Sequence, residues 1–106
     1  MDVPEIDVEQ LAGLVADGAL VVDVRNPDEY VEGHVPGATL IPLGEVPDRT
    51  DEIPTDRPVY VICAVGGRSA RASEYLIGLG VDANNVAGGT KARIAAGFDV
   101  NGGEQP

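Results

Sequence analysis

Val59-Tyr60-Val61-Ile62-Cys63-Ala64-Val65-Gly66-Gly67-Arg68-Ser69 decides how this chain is read. Its first four residues are an unbroken apolar run, the pattern of a strand buried on both faces in a sheet covered by helices. Beyond Ser69 the period changes. Ala72, Tyr75, Leu76 and Leu79 recur at helical spacing, and Gly80 is placed to end that helix. Cys63 thus stands where strand gives way to helix, with Gly66 and Gly67 freeing the backbone between them. A turn there can aim several peptide N–H groups inward, and the helix start adds its partial positive charge. Such surroundings favour the thiolate, the reactive form of cysteine. Without them, a single cysteine at a strand end is a small buried hydrophobe. The paired glycines, the fixed cation of Arg68 and the hydroxyl of Ser69 turn the reading toward a nucleophile.

The flanking segments alternate strand and helix. Asp7 with Gln10 three residues on is a capping-box pattern, and Val8, Leu11, Ala12 and Val15 follow at helical spacing. Gly18 is placed to stop that helix. Leu20-Val21-Val22 reads as a buried strand, and Pro27 fits the first turn of a short helix through about Glu32. Thr39-Leu40-Ile41 is a second short strand. Gly44 to Arg57 is acidic and punctuated by proline, with room for one short helix. Asn85-Val86-Ala87 reads as a last strand, before a final helix from about Thr90 to Ala96. An open α/β sheet follows, with ligands expected at the carboxyl ends of its strands, where Cys63 lies.

The 106 residues suit one domain spanning 1–106, ordered from about 5 to 100, with 101–106 expected to fray. Apolar content of 43% supports one core, filled mainly by Val, Leu and Ile because only four residues are aromatic. No apolar run is long enough to span a bilayer, so no membrane partner is expected, and the N-terminus lacks a signal-peptide pattern. A cytoplasmic location is the simplest expectation. One cysteine excludes an internal disulfide or resolving thiol, and one Cys with one His does not make an ordinary metal site. The net charge of −11 argues against nucleic acid. It is uneven: residues 1–56 carry −12 and residues 57–106 carry +1. The half holding Cys63 also holds Arg68, Arg71, Lys91 and Arg93, so a small anion can still be admitted.

Spacing narrows the chemistry. Cysteine phosphatases use Cys-x5-Arg, usually with His before the Cys, whereas here Arg68 comes one residue earlier and Ile62 precedes the cysteine. A shorter ring of amides suits one extra sulfur atom better than a tetrahedral oxyanion, so a phosphate or arsenate reaction is disfavoured. Cys-x4-Arg closing a strand and opening a helix resembles the active-site loop of the rhodanese sulfurtransferases. Asp23-Val24-Arg25-Asn26-Pro27-Asp28-Glu29-Tyr30 followed by Gly33-His34-Val35-Pro36-Gly37-Ala38 resembles that family's N-terminal signature. Gly88-Gly89-Thr90-Lys91-Ala92 and Ala96-Gly97-Phe98-Asp99-Val100 resemble its C-terminal one. The three matches come in the family's order and run from about Ile6 to Val100.

The resemblance implies an α/β fold with an open, mainly parallel, five-stranded sheet flanked by helices. It implies that Cys63 takes a sulfane sulfur from a small anionic donor such as thiosulfate and, as a persulfide, passes it on. The acceptor would be a thiol, cyanide or another protein. The expected substrate-binding set is Ala64, Val65, Gly66, Gly67, Arg68 and Ser69, with Arg68 holding the anionic donor. No cofactor is implied, and a monomer is expected. A catalytically weak sulfur-carrier or protein-binding module is the alternative. Asp23, Arg25 and His34 form an outer group. Arg25 is expected to pair with Glu29 or Glu32 and pin the neighbouring turn. His34 could act as a base, but a Gly-His-Val-Pro-Gly turn suggests a ring hydrogen-bonded to backbone. Gly88-Gly89 reads as close backbone packing beside the active loop. The family often has Trp where this chain has Arg93, which implies an altered pocket rim.

Overall fold

The computed structural model describes residues 2–106. Its five strands are β1 (Glu5–Ile6), β2 (Leu20–Asp23), β3 (Thr39–Leu40), β4 (Pro58–Ile62) and β5 (Asp82–Val86). They form one sheet in the order β1-β5-β4-β2-β3, and every pairing is parallel. The α/β class expected from strand–helix alternation is the one observed. Three α-helices lie between strands, α1 (Val8–Ala16), α2 (Pro27–Glu32) and α3 (Gly67–Gly78), and α4 (Gly89–Ala95) follows β5.

The apolar runs supply both faces of the sheet by simple alternation. Val22, Val59, Val61 and Cys63 point to one face, where Ala72 and Leu76 of α3 cover them. Val21, Ile62 and Val86 point to the other, against Val8 and Leu11 of α1 and Tyr30 of α2. Leu11 and Leu76 are fully enclosed, each worth about 2 kcal/mol of transfer free energy.

The crevice at the carboxyl ends of β2 and β4 follows from this topology. The two strands are neighbours, with Asp23 in register with Ile62. Their chains leave in opposite directions, β2 into α2 on one face and β4 into α3 on the other. Adjacent strands feeding opposite layers leave a gap between their exit loops, and Cys63 opens one of those loops.

Local signals explain the helix ends. The Gln10 N–H donates to Asp7 Oδ1 at 2.8 Å and the Asp7 N–H to Gln10 Oε1 at 2.9 Å, closing the expected capping box. Several expectations need correction. Gly44 to Arg57 holds two 3₁₀ helices, Leu43–Asp48 and Thr50–Glu52, because Pro47 blocks a regular α-helical ladder. The buried face of α3 is Ser69, Ala72, Ser73 and Leu76, which leaves Tyr75 and Leu79 at its edge, 44% and 50% exposed. β5 begins earlier than Asn85, since backbone pairing to β4 enlists the polar Asp82 and Asn84. β1, of two residues, is too short to show a period in the sequence.

Residues 101–106, expected to fray, are hydrogen-bonded to the domain at Asn101, Gly103 and Gln105. The His34 N–H donates to the Asn101 carbonyl at 2.9 Å, and the Asn101 N–H returns a bond of 2.8 Å. The Gly103 N–H donates to the Val31 carbonyl, and the His34 ring meets the Gln105 carbonyl at 2.8 Å. These backbone partners carry no signature in the residue types of the tail.

Candidate active site

Cys63 immediately follows β4 with its side chain turned toward α3, only 1% exposed. The chain then turns through Ala64 and Val65 to Gly66, whose φ of 110° lies where side chains are strained. That turn brings the Gly66 N–H to Cys63 Sγ at 3.1 Å. Ser69, in the first turn of α3, places its hydroxyl 3.2 Å from the same sulfur. Burial pushes the Cys63 thiol up. The Ser69 hydroxyl and the N–H groups of Ser69, Gly66 and Val65 outweigh it, and the thiol ionises below the ordinary cysteine value. The site therefore favours sulfur carrying negative charge.

The inward N–H groups depend on where the carbonyls go. The first N–H groups of α4 take them from outside: Thr90 N–H donates to the Cys63 carbonyl at 2.9 Å, and Lys91 N–H to the Ala64 carbonyl at 3.1 Å. The Thr90 hydroxyl adds a second bond to the Cys63 carbonyl at 3.1 Å. Helix α4 can come this close only because Gly89 has no Cβ. One placed there would lie 2.6 Å from both the Cys63 and Ala64 carbonyl oxygens, at a φ of +61°. The expected packing role of Gly88-Gly89 is thus a specific one: it turns the loop's acceptors away from the sulfur.

Arg68 has a partner within the protein. Its guanidinium grips both Glu29 oxygens at 2.8 Å, joining α3 to α2 across the crevice. The Arg68 hydrogen bonds are the main cause that holds the Glu29 carboxyl down at about 2; burial acts against them, and the Asn26 N–H assists. The pair ties together the two motifs that flank the crevice, and the unmet need of Arg68 for an acid was the signal in the sequence. Its stabilisation is complete above the ordinary glutamate value of 4.5 and lost as pH falls toward 2. Glu29→Gln is therefore expected to cost about 1 kcal/mol in urea unfolding at neutral pH. That gap should close as the titration approaches pH 2.

The outer group is structural in its contacts. Arg25 pairs with Asp23, not with Glu29 or Glu32: Nη2 donates to Asp23 Oδ2 at 2.8 Å, and Nε to both carboxylate oxygens. Nη2 also donates to the Gly33 carbonyl at 2.9 Å, pinning the turn after α2 as expected, though with a different acid. The His34 ring is fully buried and stacks on Tyr30 at 3.7 Å. Its Nδ1 and Nε2 lie 2.8 Å from the Tyr30 and Gln105 carbonyls, so both nitrogens are occupied by backbone. Arg93 is not at the pocket rim. It is buried, donates to the Asp99 carbonyl at 2.8 Å and lies over the Phe98 ring.

A cavity of about 260 Å³ opens beside the loop, with Arg25, Glu29, Glu32, Ala64, Lys91 and Ile94 in its wall. Lys91 and Glu32 make no ion pair among the described residues. Val65 stands at the loop tip, 62% exposed. Among the described residues, no helix is long and apolar enough to cross a membrane.

The Rhodanese-like domain family matches residues 7–96. A protein named sulfurtransferase from Allochromatium vinosum is 39% identical over 101 residues, covering 92% of this chain and 94% of its own. Thiosulfate sulfurtransferase GlpE of Pseudomonas entomophila is 41% identical over 75 residues, 71% of this chain and 69% of its own. Among solved structures, a rhodanese-related protein from Thermoplasma volcanium superposes with a TM-score of 0.87 at 33% identity, covering 92% of this chain and 96% of that one. A run of matches over nearly the whole chain, together with the cysteine loop at the crevice, places this protein in the rhodanese-like domain family of sulfur-transfer proteins.

Proposed function

We propose that this protein moves a sulfane sulfur from thiosulfate, or a donor of similar charge, to a thiophilic acceptor through a persulfide on Cys63. The observation that carries this reading is the Cys63 sulfur held by the Gly66 N–H and the Ser69 hydroxyl at 3.1 and 3.2 Å. The thiolate attacks the outer sulfur of the donor. A new S–S bond forms at Sγ, the donor's S–S bond breaks, and sulfite leaves with the electron pair. The added sulfur is anionic and fits a ring of donors whose carbonyls face away. An acceptor thiolate or cyanide then attacks that outer sulfur, and Sγ departs as thiolate. The readier ionisation of Cys63 serves both half-reactions, as nucleophile in the first and leaving group in the second. Lys91, which makes no ion pair among the described residues, and Arg68 across the crevice supply the positive charge toward an anionic donor. No general base is required if the thiol is already ionised.

The test is a stoichiometry. Mixing the reduced protein with thiosulfate and no acceptor should release one sulfite per chain and leave one cyanide-labile sulfur on the protein. Absence of both products would overturn thiosulfate as donor. A second reading draws support from a relative named putative sulfur carrier protein YrkF, from Bacillus subtilis, 41% identical over 76 residues. On that reading the persulfide forms, but small thiols discharge it slowly.

A further inference from the structure

Behind the sulfur lies a polar chain whose farther members, Asn85 and Glu5, the transfer steps do not use. Ser69 Oγ is fully buried and stands 3.2 Å from Cys63 Sγ and 2.5 Å from Asn85 Oδ1. A hydroxyl has one proton, so it can donate to only one of these acceptors at a time. Asn85 comes from β5 and is 1% exposed. Its Nδ2 donates to Glu5 Oε2 at 2.9 Å and to the Gly66 carbonyl at 3.3 Å. Both partners are acceptors, so the amide is fixed with its nitrogen toward them and its oxygen toward Ser69. Turning it over would set Oδ1 against a carboxylate and a carbonyl.

We propose that Asn85 is a positioning residue that sets the reactivity of Cys63 at one remove, by competing with the sulfur for the single proton of Ser69. When Cys63 is a thiol, its S–H can donate to Ser69 Oγ while Ser69 donates to Asn85. When the sulfur is anionic, the Ser69 proton is drawn to it, because a bond to a charged acceptor is the stronger one. Asn85 Oδ1 is then left without its donor in a buried place, a cost that opposes ionisation. Ser69 is among the groups that lower the thiol's ionisation, which fits its place as the shared donor. The charged groups near the sulfur are Arg68 paired with Glu29, the Asp23–Arg25 pair, Lys91 on α4 and Glu5 behind Asn85. Substituting Asn85 removes none of them.

This inference rests on Cys63 being the nucleophile, but its test needs no sulfur donor. The apparent pKa of Cys63 is read from thiolate absorbance and from the pH profile of iodoacetamide alkylation. Asn85→Leu, close in volume and without polar atoms, should lower that pKa and speed alkylation below it by about threefold, a shift of about half a unit. In a Ser69→Ala background the same substitution should change nothing. An unchanged or raised pKa in Asn85→Leu overturns the proposal, as does an equal drop when Ser69 is absent. Should Asn85→Leu fail to fold, Asn85→Ala is read in the same cycle. A purely structural role would move the unfolding midpoint without these pH profiles. Thiol titration remains informative even if thiosulfate proves not to be the donor.

Discussion

Cys63→Ser is expected to abolish sulfur loading: after thiosulfate treatment, intact-protein mass spectrometry should find one added sulfur on the wild type and none on the variant. Transfer to cyanide should fall at least a thousandfold, the order seen when a covalent nucleophile is removed. The reason is electronic rather than steric. The hydroxyl fits the same space, but it has no accessible anion at neutral pH and cannot hold a sulfane sulfur. The fold should tolerate it, since Cys63 makes no disulfide and its backbone bonds to Thr90 are unaffected. A variant that still takes up a sulfur atom would place the nucleophile elsewhere, and no second cysteine exists to supply it.

Gly89→Ala should be the most damaging substitution outside the cysteine. The new methyl would meet the carbonyl oxygens of Cys63 and Ala64 at 2.6 Å and the Ala64 carbonyl carbon at 2.7 Å. These are backbone atoms and cannot swing aside. The residue's φ of +61° adds the cost of a left-handed conformation for alanine. Together they should remove on the order of 3 kcal/mol from unfolding stability. Relief requires α4 to withdraw, which strands the two carbonyls and lets them rotate toward the sulfur. Persulfide loading should therefore fall at least about tenfold even in the folded fraction. Gly13→Ala, in α1 away from the loop, is the control: beyond its chain neighbours and its own helix backbone nothing lies within 4 Å of a Cβ built there, and both stability and loading should stay close to wild type. If both glycines respond alike, the outside capture of the carbonyls is not what shapes the loop.

What the sequence disclosed and what it hid divide along a physical line. Features set by neighbours in the chain were legible. The capping box of Asp7 and Gln10, the apolar run into Cys63 and the glycine turn behind it are all local, and all stand in the structure. Features set by distant partners were not. Arg68 looked free because Glu29 lies 39 residues away. Asn85 read only as a polar residue in a weak strand, although its burial among Glu5, Gly66 and Ser69 makes it part of the site. A polar residue at an inward strand position, next to the buried Val86, was the available hint. His34 gave a backbone-bound ring as expected, but its partner in the last residues could not be foreseen from that tail's composition.

On the proposed transfer, the near-complete enclosure of the Cys63 side chain would act as a caliper on whatever collects its sulfur. A broad macromolecular face would come to rest on Val65, at the crown of the turn, before touching the sulfur. A group borne on a slim tether would meet less of that obstruction. Delivery to another protein would then call for a pliant tail ending in the receiving atom, not for two rigid surfaces meeting flush.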